Sequence, residues 1–135
     1  MKILVLYDNP GAIAMIQCLL EKALGKFTDQ LDQSCIVFEI CDLSEEVISA
    51  IKSESPDLLF LKCGLVLDDA VVRDIAHWID ENHPKVKVVV HTSKKDGDAR
   101  NFFEGIKCIT RFIGDDFLYS RPRNVASFLQ DVSGA

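Results

Sequence analysis

The chain has no C-x-x-C pair, and its five cysteines, Cys18, Cys35, Cys41, Cys63 and Cys108, are odd in number. That argues against both a disulfide framework and a zinc cage, and a reducing compartment suits such a chain. No basic run is longer than Lys94-Lys95, and 15 Lys and Arg stand against 21 Asp and Glu, a net charge of −6. The electrostatic footprint of a nucleic-acid binder is therefore missing, and direct DNA or RNA contact is not expected. No apolar run approaches the roughly 20 residues of a membrane span, and the N-terminal stretch is too short for a signal peptide and has no cleavage pattern. These absences predict a soluble, cytoplasmic protein. Also lacking are G-x-G-x-x-G, a phosphate loop and a recognisable Ser-His-Asp context. His77, His83 and His91 are scattered over a helix, a turn and a strand, so no metal trio is expected.

What is present reads as one domain over residues 1–135: a chain of 135 residues, 48% of them hydrophobic, can bury a single core. Ile3 to Tyr7 is a continuous apolar run closed by Asp8-Asn9-Pro10-Gly11, the pattern of a strand buried on both faces. Asn9 and Pro10 then open a helix carrying Ile13, Ile16, Leu20 and Leu24 up to Gly25. Residues 26 to 34 are polar and unpatterned and read as a loop. The alternation continues with a strand over Cys35 to Cys41 and a helix from Ser44-Glu45-Glu46 to before Pro56. A strand over Leu58 to Cys63 follows, then a helix from Asp68-Asp69 to Asn82-His83-Pro84, and a strand over Val86 to Thr92. A weaker helix is expected within 98 to 110, a short last strand at Phe117-Leu118-Tyr119, and a final helix after Asn124.

Five strand-helix units with right-handed crossovers give an α/β fold, a doubly wound five-stranded parallel sheet with helices on both faces. Functional groups of such folds gather beyond the carboxyl ends of the strands, where the strand order reverses. The residues to interrogate are then Tyr7, Asp8, Lys62, Cys63, Thr92, Ser93 and the stretch Ser120-Arg121.

At those strand ends the chain resembles the CheY-like receiver domain of bacterial response regulators, a flavodoxin-like topology. Four segments carry the resemblance: Ile3 to Asp8 for the first strand and its acids, Pro56-Asp57 to Lys62 for the third, Val88 to Ser93 for the fourth, and Gly114 to Pro122 for the fifth. The family holds Mg²⁺ with carboxylates of the first and third strands and accepts a phosphoryl group on the third-strand Asp. Matched residue by residue, Asp8 fits the second acid and Thr92 the hydroxyl. Tyr7 replaces the first acid, Lys62 occupies the phosphoacceptor position, and Arg121 stands for the family Lys. The resemblance thus implies a degenerate phosphorylation site with no catalytic residue, no bound metal and no cofactor. A Lys62–Asp8 ion pair is expected in the space a metal would fill.

Each of these residues has a plainer reading. Lys62 can be a solvated strand-end lysine, Tyr7 a packing aromatic, Thr92 and Ser93 caps of the following segment. Asp68-Asp69 can be acids favoured by the dipole of a helix start, or a substitute phosphoacceptor in an unconventional receiver. Cys63 beside Lys62 is either a thiol of lowered pKa or an inert buried cysteine. The family uses the face of its fourth helix, fifth strand and fifth helix for partners, which singles out Phe112, Phe117, Leu118 and Tyr119; strict counting puts Leu118 at the family's switch aromatic. The expected role is a non-enzymatic protein-interaction module of a signalling pathway or phosphorelay, with protein partners and the option of a homodimer. A small-ligand binder of flavodoxin-like fold is the remaining alternative. No output domain is visible in these residues, so output is expected from a partner or from a segment beyond Ala135.

Overall fold

Because Ile3 to Tyr7 is apolar throughout, β1 (Lys2–Tyr7) needs cover on both faces, and it lies inside the sheet. The computed structural model describes residues 1–27 and 35–133. Its order is β1, α1 (Pro10–Phe27), β2 (Cys35–Ile40), α2 (Ser44–Glu54), β3 (Leu58–Lys62), α3 (Asp69–Asn82), β4 (Lys87–His91), α4 (Asp96–Phe102), β5 (Ile109–Ile113) and α5 (Pro122–Ser133). All five strands are parallel, in the order β2-β1-β3-β4-β5. Strand order reverses at β1, between β2 and β3, so a crevice opens at the carboxyl ends of β1 and β3.

Strand side chains alternate between two cores. Leu4, Leu6, Leu59, Leu61, Val88 and Val90 face α2 and α3, whose Val47, Ile51, Val72, Ile75 and Ile79 are buried against them. Ile3, Val5, Tyr7, Phe60 and Val89 face α1 and α5 and meet Ile16, Leu20, Val125 and Leu129.

The helix starts follow capping chemistry. The Asn9 Oδ1 accepts from the N–H of Gly11 at 2.7 Å and of Ala12 at 3.1 Å. Glu46 reaches back to the N–H of Leu43 at 3.1 Å, and Asp68 accepts from the N–H of Val71 at 3.0 Å. Asp68 is therefore the cap of α3, at the positive end of the helix dipole. Helix α2 ends at Ser55, whose φ of 48° is left-handed, just before Pro56.

Two boundaries differ from the sequence reading. Helix α1 continues past Gly25 to Phe27, because one exposed glycine weakens a helix by only about 1 kcal/mol without removing a hydrogen bond. The rest of the loop read over 26 to 34 lies outside the described residues. The fifth strand is the larger correction. It is Ile109–Ile113, not Phe117-Leu118-Tyr119, which sit in a 3₁₀ turn over Asp115–Tyr119. As an edge strand, β5 pairs with β4 alone and leaves Arg111 exposed to pair with Asp131, so it lacks the apolar run of an inner strand. Helix α4 (Asp96–Phe102) overlaps the stretch 98 to 110 within which a weak helix was expected, but begins two residues before it.

Candidate functional site

The carboxyl ends of β1, β3 and β4 surround a cleft of about 620 Å³, lined by Asp8, Asn9, Lys62, Cys63, Gly64 and His91 and, on its rim, by Asp42, Leu65, Val66, Asp68, Asp69, Ser93 and Asp115. Asp8 follows β1 directly and Lys62 closes β3. The Lys62 Nζ lies 3.8 Å from the Asp8 Oδ1 and donates to the Cys63 carbonyl at 3.3 Å. Both side chains are largely shielded, at 19% and 14% exposure, where an unpartnered charge would be costly. Gly64 closes over this pair: a Cβ there would stand 1.7 Å from the Asp8 Oδ2. Only a residue without a side chain lets the β3–α3 turn approach the carboxylate so closely.

Tyr7 does not enter the cleft. Its parity with Ile3 and Val5 turns it into the α1/α5 core, fully buried, where its hydroxyl meets the His91 Nδ1 at 2.8 Å. The His91 Nε2 stands 2.7 Å from the Asp115 Oδ1. A carboxylate only accepts, so Nε2 carries the proton, and Nδ1 is left to accept from the Tyr7 hydroxyl. Burial pushes the Tyr7 phenol well above its ordinary value, with the Asp115 charge adding to the effect. Burial lowers the His91 pKa, and the opposing pull of Asp115 does not restore it, so the contact is a hydrogen bond from a neutral ring rather than an ion pair.

Thr92 is buried, but it faces Asp69 rather than Lys62. Its Oγ1 is 3.5 Å from the Asp69 Oδ1, the limit for a hydrogen bond, and it accepts from the Lys94 N–H at 3.2 Å. The Lys94 Nζ is 3.4 Å from the Asp69 Oδ2. Burial, with Asp69 alongside, pushes the Cys63 thiol up, the opposite direction to the lowered pKa considered from its lysine neighbour, and a protonated thiol is a poor nucleophile.

Other expected site residues lie apart. Arg121 is exposed just ahead of α5 and does not line the cleft; its match to the family Lys fails because β5 ends at Ile113. Phe112 packs with Phe103 on the α2/α3 side, whereas Phe117 stacks near Phe128 on the α1/α5 side with Leu118. Of the four residues proposed for one face, only Tyr119, 78% exposed, is fully open to solvent. The Tyr7–His91–Asp115 chain was missed from the sequence. Its one available signal was parity: Tyr7 and His91 sit at strand positions that point to the same side as Val5 and Val89.

The residues do not fit the magnesium ion of the receiver family. At the positions that the resemblance assigns to the family's ligands, Tyr7 is turned into the core and Lys62 carries a cation rather than a carboxylate oxygen, and the described residues hold no cluster of three His, Cys, Asp or Glu suited to a metal.

No protein-family model matches the sequence, and no curated protein matches it. Solved structures do match in three dimensions. A response regulator from Thermotoga maritima superposes with a TM-score of 0.71 at 16% identity, over 99% of this chain and 98% of that one. A putative pilus assembly-related protein from Burkholderia pseudomallei gives 0.74 at 12%, over 99% and 90%. The phosphorylated cyanobacterial phytochrome response regulator RcpA gives 0.68 at 18%, over 97% and 92%. The chain therefore has the CheY-like receiver fold over its length. No helix among the described residues is long and apolar enough to cross a membrane.

Proposed function

We propose that this chain is a non-catalytic receiver-fold module that acts through protein contacts in bacterial two-component-type signal transduction, without accepting a phosphoryl group at the family position. The Lys62–Asp8 pair supports the reading: an ammonium lies 3.8 Å from the carboxylate that follows β1, at the residue that the resemblance matches to the phosphoacceptor. An amine at this point cannot form an acyl phosphate, and its charge opposes a divalent cation. Intact mass after incubation with acetyl phosphate and Mg²⁺ tests this, together with ¹⁵N spectra recorded during a Mg²⁺ and beryllofluoride titration. Unchanged mass and unshifted amides at Asp8, Lys62 and Thr92 are expected; a phosphoryl adduct would overturn the proposal.

One observation favours a second reading. Asp69, the first residue of α3, has a hydroxyl and an ammonium beside it, from Thr92 and Lys94, the same residue types that serve phosphoryl transfer in the family. A phosphoryl adduct lost in Asp69→Asn and kept in Asp68→Asn would establish this alternative.

A further inference from the structure

Among the described residues six large hydrophobic side chains are exposed, and four of them sit on one corner: Ile40 at 50%, Leu43 at 54%, Leu65 at 98% and Val66 at 59%. Ile40 and Leu43 flank the β2–α2 connection, and Leu65 and Val66 form the tip of the β3–α3 turn. Asp42 joins the two, since it lines the cleft together with Leu65 and Val66.

The β3–α3 connection is tied back on itself beneath these apolar residues. The Gly64 N–H donates to the Leu67 carbonyl at 2.7 Å, and Leu67 is buried in the α2/α3 core. Leu65 and Val66 therefore lie at the outer bend of a β3–α3 connection whose flanking residues, Gly64 and Leu67, are tied to each other. Two aliphatic side chains held in water at such a tip cost solvation without any packing in return, and a grouped exposed patch of this kind marks a docking surface.

Charge identifies the occupant. Asp8, Asp42, Asp68 and Asp69 line the cleft, and Glu39 and Glu45 line the adjoining groove beside Ile40. Lys62 is the one cation among the described lining residues of both, and Asp8 and the Cys63 carbonyl already hold it. Anionic lipid and nucleic acid are repelled by such a surface, and a second copy would bring like charges together. We propose that this corner docks a basic amphipathic segment of a partner protein, its apolar side chains on Leu43, Leu65 and Val66 and its Lys or Arg residues over Asp42, Asp68 and Glu45. The inference rests on the interaction-module reading and names the class of partner for it.

The probe is a synthetic amphipathic peptide of about five helical turns, with Leu at helical spacing and Lys elsewhere, titrated into the full chain by calorimetry and ¹⁵N NMR. Saturable binding is expected, with shifts centred on residues 42–46 and 64–69, and about a tenfold loss of affinity in the Leu65→Ser/Val66→Ser variant. Asp42→Lys/Glu45→Lys should weaken it comparably, while Tyr119→Ser on another surface leaves it unchanged. Absence of binding overturns the proposal. So does binding that Leu65→Ser/Val66→Ser leaves intact, since that is charge attraction alone. A phosphoryl adduct alongside intact peptide binding would overturn the preceding reading and leave this one standing.

Discussion

The Tyr7 hydroxyl donates to the His91 Nδ1 at 2.8 Å and so ties β1 to β4, two strands separated in the sheet by β3. The ring centroids lie 5.3 Å apart, edge to face, which adds an aromatic contact to the hydrogen bond. Tyr7→Phe keeps the ring and removes the donor, leaving Nδ1 unpaired at a site only 2% exposed. A loss of about 1–3 kcal/mol in urea unfolding is expected, with the fold retained in the amide spectrum. A loss within a few tenths of a kcal/mol would mean that water reaches Nδ1 and that the buried chain contributes little.

His91 makes stability depend on pH. Its ordinary value is 6.5; burial lowers it in the folded chain, Lys62 lowers it further, and Asp115 and Asp116 only partly oppose this. The unfolded chain then binds a proton near 6.5 that the folded chain refuses until the pH is lower. The contribution of His91 is thus fully present above 6.5 and is lost as pH falls from there through the folded value. Unfolding free energy measured from about pH 7.5 down to 5.5 should fall, and His91→Gln should flatten that slope. The slope is the readout, because the substitution also breaks two hydrogen bonds. An equal slope in the variant would assign the effect to carboxylates.

Much of this architecture is legible in the chain because its inner strands are unusually plain. Ile3 to Tyr7, Leu58 to Leu61 and Val88 to Val90 are unbroken apolar runs, and Asn9, Asp68 and Pro84 mark helix ends by chemistry that acts locally. The fifth strand was misplaced for the opposite reason. Ile109–Ile113 includes an Arg that an edge strand can leave in water, while Phe117-Leu118-Tyr119 imitates a buried strand although it lies in a 3₁₀ turn. With it went the assignment of Arg121 to the cleft. Asp8 and Lys62 were found because they terminate adjacent strands. The link from His91 to Asp115 was not, since it spans a connection whose path no local signal dictates.

Gly64 tests how closely the turn governs Asp8. Alanine would place a methyl group 1.7 Å from the Asp8 Oδ2 and 2.4 Å from its Cγ, a separation that atoms do not tolerate. Asp8 must rotate away from Lys62, or the turn must lift. Gly64→Ala is expected to cost about 1–3 kcal/mol and to shift the amides of Asp8 and Lys62 together. Unmoved amides at Asp8 would show that the turn yields alone.

Lys62→Asp reverses the electrostatics of the cleft. The variant places a second carboxylate beside Asp8 at 14% exposure, where the wild type has an ammonium at 3.8 Å. Two shielded carboxylates repel, so the variant should be less stable than the wild type in the absence of divalent cations, by roughly 1–3 kcal/mol. They also supply the hard oxygen donors that the natural residues lack, so millimolar Mg²⁺ should recover part of that loss through preferential binding to the folded state. The wild type should show no such response. Thermal unfolding with and without Mg²⁺ separates the cases. Stabilisation of the wild type would mean that Lys62 moves aside for a cation, whereas an unresponsive Lys62→Asp would mean that the Tyr7 position, turned into the core, is the more severe loss.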